Sequence, residues 1–124
     1  MARIDIIDAM IEKYSTSYSN KIIVRKEFKD ITDETPIEIL YRNYIEAIAH
    51  SKKADELKFN CKSDYFYWGY ISDYESYTLV AKIYAKLIFD LLNVDYLPEF
   101  QTLQLKATRY DKIKEKNGVI LITA

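Results

Sequence analysis

Lys58–Ile71, KFNCKSDYFYWGYI, is the stretch on which the architecture of this chain turns. It crowds Phe59, Tyr65, Phe66, Tyr67, Trp68 and Tyr70 into one short segment. Aromatic side chains suit a pleated, half-buried surface, and taken alone the run lacks helical spacing, so it reads as a β-strand. Successive side chains of a strand point to opposite faces. One face would build core and the other would present rings outward. Outward rings can anchor a protein interface, where Tyr and Trp dominate the binding energy. They can equally stack nucleobases, as single-strand binders do. Tyr65, Tyr67, Trp68 and Tyr70 are therefore the candidate binding residues, with packing beneath the neighbouring helices as the competing reading.

The flanks on either side read as helices. Thr35-Pro36-Ile37-Glu38 has the form of a capping box with proline at the first helical position. Ile37, Leu40, Tyr41, Tyr44 and Ile48 then share one face of a helix that runs into Ser51–Leu57. Ser72-Asp73-Tyr74-Glu75 repeats the device downstream. Tyr77, Val80, Ala81, Tyr84, Leu87, Ile88 and Leu91 give the next helix a wide apolar face, as expected of a central core helix ending near Asn93.

Farther out, Ile4, Ile7, Ile11 and Tyr14 mark a first helix over Arg3–Tyr14, broken by Ser15, Thr16, Ser17 and Ser19. Lys21–Phe28 alternates loosely, with Ile22, Val24 and Phe28 opposite Arg25 and Glu27, and reads as a short strand. Asn117-Gly118 is the favoured two-residue turn of a β-hairpin, joining Leu103–Lys116 to Val119–Thr123. The expected order is α–β–α–β–α–β–β. That is an α+β fold of about three helices packed on a small, mainly antiparallel sheet with a C-terminal β-hairpin, in a single domain over residues 1–124.

Composition narrows the function classes. Lys plus Arg is 18 against 19 Asp plus Glu, a net charge of −1 that argues against a general polyanion binder. The longest apolar region, Thr78–Leu92, is interrupted by Lys82, Lys86 and Asp90, so no membrane partner is expected. Asp5 and Asp8 sit where a secretory signal would need a basic start, and the lone Cys61 suits a reducing compartment. The expected location is therefore intracellular and cytoplasmic. Lys outnumbers Arg by 14 to 4, and Tyr appears 12 times, as AT-rich coding DNA of low-GC bacteria and their phages produces.

The inventory for chemistry is thin. His50 is expected near a helix C-terminus, where an imidazolium is favoured. Cys61 beside Lys62 could be an activated thiol, against the blander reading of a half-buried strand cysteine. The carboxylates Asp30, Asp33, Glu34, Asp64, Asp73 and Glu75 fit helix starts, where negative charge is favoured. Two isolated glycines cannot make a phosphate loop. No catalytic residue, metal set or cofactor is expected.

Two further surfaces are read in the C-terminal hairpin. Lys106, Lys112, Lys114 and Lys116 fall on one face, which either blocks edge-to-edge aggregation or touches phosphates. Val119 and Leu121 belong to a strand that is apolar on both faces and wants cover on both sides, as an interface between subunits would supply. The expectation is a non-enzymatic structural or interaction subunit in a homo-oligomer or larger protein assembly, with a phage virion or connector component as its concrete form. The alternative is a small binding protein that captures a nucleotide-like ligand, or inhibits a host protein, through the aromatic segment.

Overall fold

Helical spacing governs every element of the described chain. The computed structural model describes residues 2–92 and places them in four helices: α1 (Arg3–Tyr14), α2 (Tyr18–Glu27), α3 (Ile37–Phe59) and α4 (Asp64–Leu91). Among these residues there is no strand, and the expected α+β sheet is replaced by packed helices. The expected hairpin, with Lys106, Lys112, Lys114, Lys116, Val119 and Leu121, lies outside the described residues.

Two segments read as strands are helical. Lys21–Phe28 belongs to α2, whose buried side chains Asn20 and Val24 are four residues apart, with Phe28 buried four residues on, at its C-cap. Ile22, which seemed to join Val24 on a strand face, is instead exposed on the far side. The Ser17 hydroxyl accepts the Asn20 backbone N–H at 3.1 Å and so caps the start of α2.

Lys58–Ile71 divides into the end of α3, a short link, and the first two turns of α4. Its helical period emerges only when it is joined to the residues from Ser72 onward. Tyr67, Tyr70, Tyr74, Tyr77 and Ala81 recur at alternating steps of three and four residues. On α3 the buried residues Leu40, Tyr44, Ala47, Ser51 and Ala54 recur in the same way. Such a repeat keeps one seam of each helix turned toward a partner helix. The two pack antiparallel: Asn43 Nδ2 donates to Tyr84 Oη at 3.2 Å, Ser51 meets Thr78 at 2.8 Å, and Lys58 Nζ lies 5.3 Å from the centre of the Tyr74 ring. Ala47, Ser51 and Ala54 are small, which lets the helices approach closely.

Ser72 consequently sits inside α4 and caps nothing. The start of α3 falls where the proline suggested, but Pro36 is the capping residue and makes no side-chain cap bond. Thr35 turns its hydroxyl the other way and accepts the Thr32 N–H at 2.9 Å, which closes the turn before the helix.

α1 and α2 lie against the C-terminal half of α4. Ile7, Ile11, Val24 and Phe28 meet Leu79, Val80, Ile83, Tyr84, Leu87 and Ile88 in one core with Leu40, Tyr41 and Tyr44 of α3. Ile4 and Leu91, assigned to core faces by spacing, are exposed. Arg3 ties the α2–α3 link to α1: its guanidinium donates to the carbonyls of Thr32 and Thr35, and its backbone N–H to Asp33. At the other end, Thr16 donates to Glu75 at 2.8 Å and Asn20 donates to the buried Ser76 at 2.8 Å. There the cover of α1 and α2 stops. No residue of α4 before Ser76 is buried among those whose side chains are described.

Candidate functional site

On the N-terminal side of Ser76, no other described helix lies against the α3–α4 hairpin. The bare part of α4 runs for about 18 Å at 1.5 Å per residue. Three of the four candidate binding residues can be placed there. Trp68 is 67% exposed, Tyr67 lies edge-on to it with ring centres 5.5 Å apart, and Tyr70 is half-buried on the seam facing α3. Tyr65 falls in the first turn of α4. The exposed Phe59 and Phe66 join Trp68 at this tip, Phe59 being 87% exposed. The element that presents the rings is thus a helix, where the sequence suggested a strand.

The physical basis for the exposure is positional. Trp68, Glu75 and Leu79 stand seven and eleven residues apart, so they share one side of α4. Leu79 is buried and Glu75 is held by Thr16, whereas Trp68, two turns farther out, extends the same side past the last residue of the α1–α2 corner.

A second surface was not anticipated. On the outer side of α2 and the turn that follows it, Tyr18, Ile22, Arg25 and Lys29 recur at helical spacing, with Lys26 alongside. Together with Glu12 and Lys21 they line an open groove of ≈ 540 Å³. Tyr18 is 77% and Ile22 51% exposed. Lys21 pairs with Glu12 at 2.8 Å, and Arg25 pairs with Asp8 at 2.7 Å. These two cations hold the Glu12 carboxyl below its usual range, chiefly through the Lys21 hydrogen bond. Lys26 and Lys29 form no ion pair among the described residues. The signal was legible in the sequence as the 18/22/25/29 stripe, once the segment is read with a period of 3.6 rather than 2.

A third feature is a polar cavity of ≈ 110 Å³ lined by Glu27, Asn43, Glu46, His50, Tyr77 and Tyr84. His50 stands in the body of α3 rather than near its end, with its ring edge-on to Tyr77 at 4.6 Å. The Tyr84 hydroxyl donates to the Glu27 carbonyl at 3.3 Å, and burial pushes its pKa up to about 12. Burial likewise raises Tyr77, whose hydroxyl reaches Glu27 Oε1 at 3.5 Å. These phenols stay protonated and serve as structural donors. The cavity has room for a few waters, whereas small-molecule sites begin at about 300 Å³.

Cys61 lies in the α3–α4 link, not on a strand, and its thiol points to the Ser63 carbonyl at 3.2 Å. Among the described residues no group of three His, Cys, Asp or Glu side chains could hold a metal ion. No described helix is long and apolar enough to cross a membrane. In comparisons with known proteins, no family model, no curated protein and no solved structure matches this chain.

Proposed function

We propose that this chain is a non-enzymatic interaction subunit that works by docking the aromatic tip of its α3–α4 hairpin onto protein. The observation that supports this most directly is the exposure of Phe59, Phe66 and Trp68 at the end of a helical hairpin whose body, from Ser76 to Phe89 of α4, is packed. Exposed aromatic rings on a rigid element are what an interface hot spot needs. The charge pattern favours protein over a nucleotide-like ligand. From Ser63 to Ala81 there is no basic residue to meet a phosphate, and Asp64, Asp73 and Glu75 fall within the same stretch. The setting we propose is the inside of a cell, or a phage particle assembled there, on the strength of the lone cysteine and the lysine-, isoleucine- and tyrosine-rich composition.

The test is a photo-crosslinking residue in place of Phe59, in chain expressed in its native host. Covalent adducts with protein, absent when the crosslinker is moved to exposed Glu38 at the opposite end of α3, are the expected result. Failure to capture any protein, the chain itself included, would defeat the interaction reading. Adducts with nucleotide or nucleic acid alone would replace it with the ligand-capturing alternative.

A further inference from the structure

We propose that Lys58 is the positioning residue of the aromatic tip: its ammonium, anchored on Asp55 of α3, grips Tyr74 of α4 and sets how the bare part of α4 presents Trp68. The inference rests on the interaction reading above and adds what holds that site in shape. The spacing of the α3 seam singles Lys58 out. Leu40, Tyr44, Ala47, Ser51 and Ala54 are buried along it at steps of four, three, four and three residues. The next step of four falls on Lys58, so a cation stands where the repeat calls for an apolar or small side chain. Asp55, Glu56, Leu57 and Phe59 around it are exposed, whereas Lys58 is half-buried. A single lysine in an otherwise apolar seam costs some stability but fixes the register of the pairing.

The facing seam of α4 offers this lysine rings. Tyr67, Tyr70 and Tyr74 carry that seam toward the tip, and Lys58 Nζ stands over the Tyr74 ring, 5.3 Å from its centre. An ammonium within about 6 Å of a ring centre is attracted by the negative face of the ring. The same Nζ pairs with Asp55 Oδ1 at 3.0 Å, one turn back on α3. Asp55 thus fixes the lysine on its own helix while Tyr74 fixes it on the facing one. The hydrogen bond to Asp55 raises the Lys58 pKa above its usual range, with the Tyr67 and Tyr74 hydroxyls acting in the same sense. The ammonium therefore acts on both tyrosines, and Tyr67 borders Trp68 edge-on with ring centres 5.5 Å apart. Toward the base, Ser51 meets Thr78, and α1 and α2 add their cover. Toward the tip, Ala54 is the last buried residue of α3, and Lys58 reaches across beyond it.

The experiment reads the free chain, so its outcome is independent of what Phe59 crosslinks to. Amide hydrogen exchange along α4 is measured together with the fluorescence anisotropy of Trp68, the single tryptophan of the chain. The variants are Lys58→Gln, Lys58→Arg, Asp55→Asn and the Lys58→Gln/Asp55→Asn double variant. Lys58→Gln is expected to speed exchange over Ile71–Glu75 about two- to fivefold, the factor that a solvent-exposed cation–π contact is worth. It is also expected to lower the Trp68 anisotropy and to leave exchange over Tyr77–Phe89 unchanged. Lys58→Arg, which keeps the charge, is expected to restore both readouts. Asp55→Asn is expected to act in the same direction as Lys58→Gln, and the double variant to add nothing further, because each change disables the same unit. Unchanged exchange and anisotropy in Lys58→Gln would overturn the assignment. Exchange that rises equally from Ile71 to Phe89 would overturn it too, since that is a general loss of stability and not a local tie. Failure of arginine to restore the tip would remove the role of the charge and the proposal with it. A tip that loosens as expected, while Phe59 crosslinks no protein, would support Lys58 as the positioning residue and defeat the interaction reading alone.

Discussion

The two halves of α4 are one continuous helix with opposite investments. From Ser76 to Phe89 it is buried on nearly every side, held by α3 along one flank and by α1 and α2 along the other. From Phe66 to Glu75 it keeps the α3 seam and loses the rest. Both halves are rich in large apolar side chains, so composition does not separate them. What separates them is whether another helix lies alongside, and that is fixed by where the Ser15–Ser17 break turns α1 into α2. Had the break come later, the corner would have reached Trp68. An aromatic residue is therefore core or contact surface according to the length of its neighbours.

The contrast is sharpest in the response to truncation. Leu87→Ala or Ile88→Ala, in the packed half, is expected to cost about 2 to 5 kcal/mol in urea denaturation, because each leaves a cavity that neighbours fill only in part. Two melting curves that coincide with wild type would dissolve the distinction between base and tip.

Alkaline titration probes the base by another route. Burial raises the Tyr84 phenol to about 12, so the folded chain keeps a proton that the unfolded chain releases near 10. The associated stability is whole below pH 10 and falls away as pH rises from 10 toward 12, by about 2 to 3 kcal/mol. In Tyr84→Phe this part of the alkaline loss is expected to vanish, at some cost at neutral pH from the stranded Asn43 amide. An unchanged slope in the variant would mean that the phenol is not shielded by the fold.

Capping gives a smaller pair of effects. Ser17→Ala is expected to cost about 1 kcal/mol, since the Asn20 N–H loses its acceptor. Ser72→Ala, in mid-helix, is expected to be neutral or to stabilise by a few tenths of a kcal/mol, since Ala is the better helix former. Equal losses at the two positions would revive a helix start at Ser72.

Trp68→Ala should move stability least, by no more than about 0.5 kcal/mol, because the ring is largely in water. Its effect is expected on association instead. A large drop in melting temperature for the monomer would turn the tip into core and remove the case for docking.

Much of the helical part was legible in the sequence for a definite reason. Arg3–Tyr14 has its buried residues Ile7, Met10 and Ile11 at helical spacing, and α1 spans those residues. The apolar faces around Tyr44 and Tyr84 carry the same period and are buried over Leu40–Ile48 and Val80–Ile88, while Ile37 and Tyr77 are partly buried and Leu91 is exposed. The failures have one cause. In windows as short as Lys21–Phe28 or Lys58–Ile71, strand alternation and helical period look alike, and β-branched or aromatic composition then favours strand. The seam Tyr67–Tyr70–Tyr74–Tyr77–Ala81 needs about fifteen residues before it declares itself. The proposed aromatic interaction surface came from ring chemistry alone. The α2 groove did not, because a strand reading scatters Tyr18, Ile22, Arg25 and Lys29 over two faces.

Gly69 stands one residue after Trp68, with nothing within 4 Å of where a Cβ would be. Glycine inside a helix costs about 1 kcal/mol relative to alanine, and here no packing requires it. With no cover from α1 or α2 to offset that cost, the first turns of α4 form the least protected end of the helix. Amide hydrogen exchange should therefore run as a gradient along α4, fast up to Tyr70 and slow beyond Ser76, as local opening proceeds from the end with the fewest buried contacts. The residues that recognise a partner would be those that loosen first, and docking would register as a slowing of their exchange before any change at the base. Gly69→Ala would flatten that gradient while leaving the aromatic rings in place.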